Sequence, residues 1–137
     1  MSSDGQRVRD AMVPDPLALS AEASAREAGE ALTRPEVRAV LVCEHGKLVG
    51  VVTRKTLVRE VVAAGRDPST TPLRQISEPP IATVDSDMLL PDAYAFLEEN
   101  DLERVPVVDE GRLVGVLSRS SLRRRLAEDE PLDEIES

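Results

Sequence analysis

Apolar and small residues recur along this chain with two different periods. Two stretches place them at positions i, i+3, i+4 and i+7, which is the spacing of one face of an α-helix. These positions are Ala25, Ala28, Gly29 and Leu32 in the first stretch and Leu90, Ala93, Tyr94 and Leu97 in the second. The spacing predicts one amphipathic helix in each half of the chain.

Each predicted helix is followed by two runs of β-branched residues with a glycine-bearing turn between them. The runs read AVLVC, EHGK, LVGVVT from residue 39 and RVPVVD, EGR, LVGVLS from residue 104, which is the pattern of a β-hairpin. A short extended segment precedes each helix, at 16–19 and at 80–84, so each half is predicted to fold as β-α-β-β-α. The last helix has apolar positions at Leu57, Val61 and Ala64 in the first half and at Leu122 and Leu126 in the second.

The two halves are copies of one another. A shift of 65 positions aligns residues 8–59 with residues 73–124 without a gap, and GKLVGVVTRKTL at Gly46 returns as GRLVGVLSRSSL at Gly111. Duplication at a fixed period indicates supersecondary units that need one another to close a core. The predicted segments are a first repeat with its N-terminal segment (1–65), a linker (66–72), a second repeat (73–130) and an acidic tail (131–137).

Two such units in tandem, with RVPVVDEGRLVGVLSRSSL in the second, resemble a pair of cystathionine β-synthase (CBS) domains. The resemblance covers residues 8–126 and implies an α+β fold in which the repeats pack about a pseudo-twofold axis. It also implies clefts between the repeats that bind AMP, ADP, ATP or S-adenosylmethionine as regulatory ligands, with no cofactor required. Such modules commonly form homodimers through their helices and regulate a partner protein, whose identity the sequence leaves open.

Each hairpin ends in a polar turn that leads into the last helix, at residues 53–56 (elbow one) and 118–121 (elbow two). Thr53 and Ser118 stand where an N-cap hydroxyl accepts a hydrogen bond from the helix backbone. The free N–H groups of a helix start also attract anions, so a phosphate contact is a second role for both hydroxyls. Arg54 and Arg119 follow directly, either to meet a phosphate or as solvated surface residues.

The elbows depart from the family pattern three residues after the cap. Members of the family have an aspartate there that binds the ribose hydroxyls of the ligand, whereas this chain has Thr56 and Ser121. Replacing a carboxylate by a hydroxyl is expected to weaken nucleoside binding about tenfold to a hundredfold. With no carboxylate expected near either pocket, a polyphosphate or another anion is also a candidate ligand.

The resemblance places the contacts to an adenine ring at the first strand and at the start of the hairpin of each repeat. These residues are Leu17, Ala18, Arg38 and Ala39 in the first repeat and Ala82, Thr83, Glu103 and Arg104 in the second. Thr83 matches a hydroxyl that is frequent in binding repeats, where the first repeat has Ala18. The second repeat is therefore expected to hold the better pocket.

Composition narrows the function classes. The 137 residues include 26 acidic and 17 basic side chains, and the formal net charge of −9 disfavours nucleic acid as a partner. Cys43 and His45 are the only cysteine and histidine, too few for a soft-metal cluster. No serine has a histidine placed to activate it and no phosphate-binding loop motif occurs, so no catalysis is expected. No apolar run suits a membrane span or a signal peptide, which predicts a cytoplasmic protein.

Three functional hypotheses remain open from the sequence. The first is a non-enzymatic regulatory module that senses an adenosine-containing nucleotide or a related anion. The second is a dimerisation or protein-interaction scaffold whose ligand pockets are degenerate, which Thr56 and Ser121 would allow. The third and least favoured is a nucleic acid contact through the basic run RSSLRRR at 119–125, which the acidic residues after it oppose.

Overall fold

The structure is a computed structural model, and it describes residues 6–14 and 16–128. The first repeat contains α1 (Val8–Ala11), β1 (Val13–Pro14), β2 (Ala18–Ser20), α2 (Ala25–Ala31), β3 (Val40–Glu44), β4 (Lys47–Val52) and α3 (Arg54–Leu57), which continues as a π-helical segment (Val58–Val62). The second repeat contains α4 (Leu73–Ile76), β5 (Val84–Asp85), α5 (Leu90–Glu99), β6 (Arg104–Asp109), β7 (Arg112–Ser118) and α6 (Arg119–Glu128). The predicted acidic tail lies outside the described residues.

The α+β class and the order β-α-β-β-α are confirmed in both repeats. Each repeat also begins with a helix of a single turn, α1 or α4, which the sequence pattern did not predict. Val8 and Leu73 start these helices at aligned positions, and both side chains are fully buried. Four residues are too few to show a helical period, so the apolar pattern gave no signal there.

The chain folds as two compact units. The first-repeat unit contains residues 16–81 and 111–113, and the second-repeat unit contains residues 6–14, 82–110 and 114–128. The segments that open the repeats, which we call the lead-ins (6–14 and 71–79), are therefore exchanged. Val8 N donates to Met88 O at 2.8 Å, and Leu73 N donates to Ala23 O at 2.8 Å. Each lead-in completes the core of the other repeat's unit.

The first-repeat unit has a sheet with the strand order β2-β3-β4. β2 runs parallel to β3, with Ala18 opposite Leu41, and β3 runs antiparallel to β4, with Val40 opposite Val52. The sheet, α2, the π-helical segment and α4 share one core. Its buried residues are Ala21, Ala25, Ala28, Leu32, Val40, Val42, Val52, Val61, Leu73 and Ile76. The linker belongs to this unit as well, because Ala25 N at the start of α2 donates to Thr71 O at 2.8 Å.

The second-repeat unit repeats this plan, with β5 beside β6, β6 beside β7, and β1 on the far side of β7. β5 is parallel to β6, with Val84 opposite Val107, and β1 is antiparallel to β7, with Val13 opposite Val116. Its core consists of Val8, Val84, Leu90, Ala93, Leu97, Val105, Val107, Leu117 and Leu122. The predicted apolar face of α5 is therefore confirmed.

Two element predictions were wrong at their ends. The extended segment expected at 80–84 is reduced to β5, which begins at Val84, because Pro80 has no N–H to donate to a neighbouring strand. Ala64 was expected on a buried helix face but is exposed. The helix ends at Val62, and Gly65 adopts φ +75°, the left-handed conformation that commonly terminates a helix.

Each lead-in lies against the strand that precedes an elbow, at a glycine. A Cβ atom at Gly50 in β4 would lie 2.5 Å from Ser77 Oγ, and a Cβ atom at Gly115 in β7 would lie 2.6 Å from Met12 Sδ and 2.9 Å from Val13 O. These approaches are closer than any side chain allows, so both positions require glycine for packing. The glycines of the duplicated LVGV motif thus make room for the exchanged lead-ins.

We expect Gly115→Ala to lower the free energy of unfolding by about 1–3 kcal/mol, because the new methyl group overlaps backbone that cannot move freely. Chemical denaturation of the wild type and the variant measures the difference. Gly29→Ala is the control. A Cβ atom at Gly29, which lies in α2, would meet only Leu57 Cδ1 of α3, at 3.7 Å. That change should stabilise the protein by about 0.5–1 kcal/mol. Equal stability of Gly115→Ala and the wild type would contradict the packing argument.

Candidate functional site

The residues expected to contact a ligand gather at one end of the sheet in the first-repeat unit. Because Val40 pairs with Val52, Ala39 and Thr53 are the next residues at the end of this ladder. Leu17 reaches the same end, since its carbonyl accepts a hydrogen bond from Leu41 N at 3.3 Å. Ala18 and Arg38 flank these positions along the chain. Hydroxyl, backbone and apolar groups therefore lie together there.

The second-repeat unit brings the corresponding residues together. Arg119 N donates to Glu103 O at 2.8 Å, which joins the start of β6, with Glu103 and Arg104, to the end of β7, with Ser118 and Arg119. Ala82 and Thr83 directly precede the pair Val84 and Val107 and so lie towards the same end. Ala82 is half-buried and Thr83 is exposed.

Elbow one is a capping box. Thr53 is the N-cap of α3, and its Oγ1 accepts a hydrogen bond from Thr56 N at 3.3 Å. Thr53 N donates in return to Thr56 Oγ1 at 3.1 Å. The expected capping role of Thr53 is thus confirmed, and Thr56, expected as a ligand contact, is a buried part of the cap with 1% of its surface exposed.

A carboxylate lies at elbow one although its motif contains none. Glu78 Oε2 accepts a hydrogen bond from Thr56 Oγ1 at 2.8 Å and another from Arg59 Nη2 at 2.6 Å. The hydrogen bond from Thr56, followed by that from Arg59, lowers the pKa of Glu78. The expectation that no carboxylate is near either pocket is therefore wrong at elbow one, and it is wrong at elbow two as well, where Glu103 Oε1 lies 3.4 Å from Arg119.

The sequence of elbow one could not identify Glu78 as a neighbour of Thr56, because Glu78 belongs to the lead-in of the second repeat. Its backbone pairs with β4: Val51 N donates to Glu78 O at 2.8 Å, and Glu78 N donates to Val51 O at 2.9 Å. The aligned residue of the other lead-in is Val13, which pairs with Val116 in the same way. Only the exchange of lead-ins, which the pattern did not predict, reveals this contact.

Elbow two has only the N-cap half of this capping box and lies in a different environment. Ser118 Oγ accepts a hydrogen bond from Ser121 N at 3.2 Å, which confirms its capping role. Within the described part of the chain the Ser118 hydroxyl makes no other hydrogen bond, so its proton is uncommitted. The lead-in residue here is Val13, which brings no charge. Elbow two therefore retains a hydroxyl donor that elbow one lacks.

The two arginines that follow the caps are not equivalent. Arg54 is exposed, and its Nη2 donates to Arg34 O at 2.8 Å. The Arg119 side chain is 21% exposed, and its guanidinium lies 3.4 Å from Glu103 Oε1 and 3.9 Å from Asp101 Oδ1. Arg119 is therefore an ion-paired residue and not a freely solvated one.

The basic run at 119–125 is largely engaged within its own unit. Arg123 Nε donates to Tyr94 Oη at 3.2 Å, and Arg125 Nε donates to Gln6 Oε1 at 2.7 Å. With Arg119 paired to Glu103, these contacts leave little of the run to face a phosphate backbone. The nucleic acid hypothesis is weakened accordingly.

The described ranges contain neither a metal-binding cluster nor a membrane-spanning helix. No group of three or more His, Cys, Asp or Glu side chains within 6–14 and 16–128 is arranged to hold a metal ion. Cys43 is half-buried, and burial raises the pKa of its thiol. No helix in those same ranges has the length and apolar character needed to cross a membrane.

Comparison with known proteins identifies the family. A family model described as CBS domain matches residues 8–63 and again residues 73–128. The chain therefore belongs to the CBS-domain family, as a tandem pair of CBS domains. CBS pairs are generally regulatory modules without catalytic activity.

Two relatives show this similarity in sequence. CBS domain-containing protein YhcV of Bacillus subtilis is 28% identical over 115 residues, which cover 84% of this chain and 81% of that protein. Hypoxic response protein 1 of Mycobacterium tuberculosis is 29% identical over 102 residues, which cover 74% of this chain and 71% of that protein.

Solved structures agree with the fold. The crystal structure of Hypoxic Response Protein I with two coordinated zinc ions matches with a TM-score of 0.74 and 25% identity, over 88% of this chain and 99% of that chain. The crystal structure of CBSX2 in complex with AMP matches with a TM-score of 0.71 and 26% identity, over 90% of this chain and 98% of that chain.

We expect Thr56→Val to lower the free energy of unfolding by about 1–3 kcal/mol, because it removes the acceptor of Thr53 N and one of the two hydrogen bonds to Glu78 Oε2. Ser121→Ala at the aligned position is the control. The Ser121 hydroxyl makes no hydrogen bond to the described residues, so its loss should change stability by less than about 0.5 kcal/mol. Denaturant titration of both variants measures the contrast, and equal effects would refute the unequal roles of these two residues.

Proposed function

We propose that this CBS pair is a non-enzymatic regulatory module that binds an adenosine-containing nucleotide at the sheet ends beside its elbows. The ligand class comprises AMP, ADP, ATP and S-adenosylmethionine. The observation that carries the proposal is the gathering of an apolar strand end, a capped helix start and a hydroxyl at one place in each unit. CBSX2, which is similar over most of this chain, was crystallised with AMP.

Elbow two is the favoured site for a phosphate of this ligand. α6 is a helix of 10 residues, and the N–H groups of its first turn, together with the helix dipole, favour an anion. The uncommitted proton of Ser118 adds one donor at the same place. Arg119 supports this charge in part, although Glu103 and Asp101 compensate it.

Ligand binding should appear as thermal stabilisation. At a ligand concentration about 100 times its Kd, a ligand that binds only the folded state adds about 2.7 kcal/mol to the free energy of unfolding. We expect at least one of AMP, ADP, ATP and S-adenosylmethionine to raise the melting temperature in differential scanning fluorimetry. A flat response to all four at about millimolar concentration would exclude the proposal.

The site is tested by Ser118→Ala, which should weaken the binding of that ligand several-fold relative to the wild type. Ser120→Ala is the matched control, because Ser120 is the exposed second residue of α6.

A second candidate function, a dimerisation scaffold, is favoured by exposed apolar residues on the first-repeat unit. Val58 and Val62 in the π-helical segment are 59% and 72% exposed. Val62 lines a shallow groove of about 330 Å³ together with Ala25, Gly29, Leu57 and Val61. Apolar side chains this exposed are typical of surfaces that pack against a partner. We propose that this face contributes to a homodimer, which is compatible with ligand binding.

Val62→Glu should raise the dissociation constant of the dimer about tenfold or more, because dimerisation would then bury an unpaired carboxylate. Light scattering over a concentration series measures the shift from dimer to monomer. Ile81→Glu is the control, since Ile81 is 89% exposed but lies outside the groove. A dimer that both variants leave unchanged would rule out this face.

A further inference from the structure

Elbow one contains a carboxylate oxygen with unused hydrogen-bonding capacity, Glu78 Oε1, although the charge of this carboxylate is shared with Oε2 and ion-paired to Arg59. Glu78 Oε2 is engaged by Thr56 and Arg59, whereas Glu78 Oε1 makes no hydrogen bond to the described residues. The Glu78 side chain is 48% exposed, so this oxygen is accessible from solvent. A carboxylate oxygen can accept two hydrogen bonds, and bonds to a charged acceptor are the strong ones.

The direction of the hydrogen bonds at elbow one follows from this carboxylate. An ionised Glu78 can only accept, so the single proton of the Thr56 hydroxyl goes to Glu78 Oε2. In the contact of 3.1 Å between Thr53 Oγ1 and Thr56 Oγ1, Thr53 must then be the donor. Both hydroxyl protons are consumed inside the elbow, so the hydroxyls of Thr53 and Thr56 present only acceptors to a ligand.

The carboxylate is also held in place from both sides. The backbone of Glu78 is fixed on β4 by its two hydrogen bonds with Val51, and the side chain is fixed by Thr56 and Arg59. The preceding residue, Ser77, packs so closely on Gly50 that a Cβ atom there would lie 2.7 Å from Ser77 Cβ. A preorganised acceptor loses less conformational entropy on binding than a free side chain would.

We propose that Glu78, supplied by the lead-in of the second repeat, is the residue that binds the vicinal hydroxyls of a ligand's ribose at elbow one. This inference rests on the proposed function, because it names the sugar contact of the same adenosine-containing ligand. Glu78 Oε1 accepts from both hydroxyls, and the remaining lone pair of Thr53 Oγ1 is a further acceptor beside it. Elbow two, where Val13 takes the place of Glu78, has no such contact.

Glu78→Gln tests the proposal, because it removes the charge while keeping the shape and an acceptor for Thr56. The probes are adenosine and 3′-deoxyadenosine, which differ by one ribose hydroxyl. Binding is followed at each elbow separately by the backbone amide NMR signals of Thr56 and Ser121. We expect the variant to bind adenosine about tenfold more weakly at elbow one, unchanged at elbow two, and to lose the preference for adenosine over 3′-deoxyadenosine.

Two further variants separate the sugar contact from other effects. Glu60→Gln is the matched control, because Glu60 Oε2 also accepts from Arg59, at 3.0 Å, but the Glu60 side chain makes no hydrogen bond with Thr56. It should leave both affinities within about twofold of the wild type. Val13→Glu places a carboxylate at the aligned position and should strengthen adenosine binding at elbow two.

The outcomes distinguish this inference from the proposed function. If the wild type binds adenosine at elbow one and Glu78→Gln keeps the same affinity and the same preference for the intact ribose, the role of Glu78 is wrong while nucleotide binding stands. If Glu60→Gln weakens binding as much as Glu78→Gln, the effect comes from Arg59 and the role of Glu78 is again wrong. If the wild type binds no adenosine compound at all, both the proposed function and this inference are overturned.

Discussion

The close approach of each lead-in to a strand glycine is the constraint on which both candidate sites depend. At Gly50 and Gly115 the absent side chain lets a backbone segment from the other repeat lie directly on the strand. The next residue of that segment then pairs with the strand two residues before its elbow, as Glu78 does with Val51 and Val13 with Val116. The glycine therefore allows the lead-in to pack beside an elbow. The lead-in sequence then determines which side chain, Glu78 or Val13, lies there.

Duplication has thus produced two sites with the same backbone and different polarity. At elbow one the neighbour is a carboxylate that orients the hydroxyls of Thr53 and Thr56, so these two hydroxyls can only accept further hydrogen bonds. At elbow two the neighbour is a valine, and the Ser118 hydroxyl keeps its proton. Because hydrogen-bond direction is set by which partner can only accept, one exchanged residue is enough to reverse what an elbow offers to a ligand.

Much of the fold could be predicted from the sequence, because its main signals are periodic. The apolar spacing of α5 and the alternation in both hairpins indicated which faces are buried. The hydroxyl residues Thr53 and Ser118 indicated where helices start. The one-turn helices had no period to detect. The partner of Thr56 could not be predicted either, because it lies 22 residues further along the chain, in the other repeat.

Each lead-in is continuous along the chain with the candidate adenine contacts of its own repeat. Glu78 at elbow one precedes Ala82 and Thr83, candidates for the adenine contact of the second repeat, by only four and five residues. Val13 stands in the same relation to Leu17 and Ala18 of the first repeat. Under the proposed role of Glu78, a ligand at elbow one would hold a residue whose segment continues along the chain to Ala82 and Thr83. A ligand shifts an equilibrium only through its different affinities for the two states, so such a contact would regulate the protein only if the two states hold Glu78 differently.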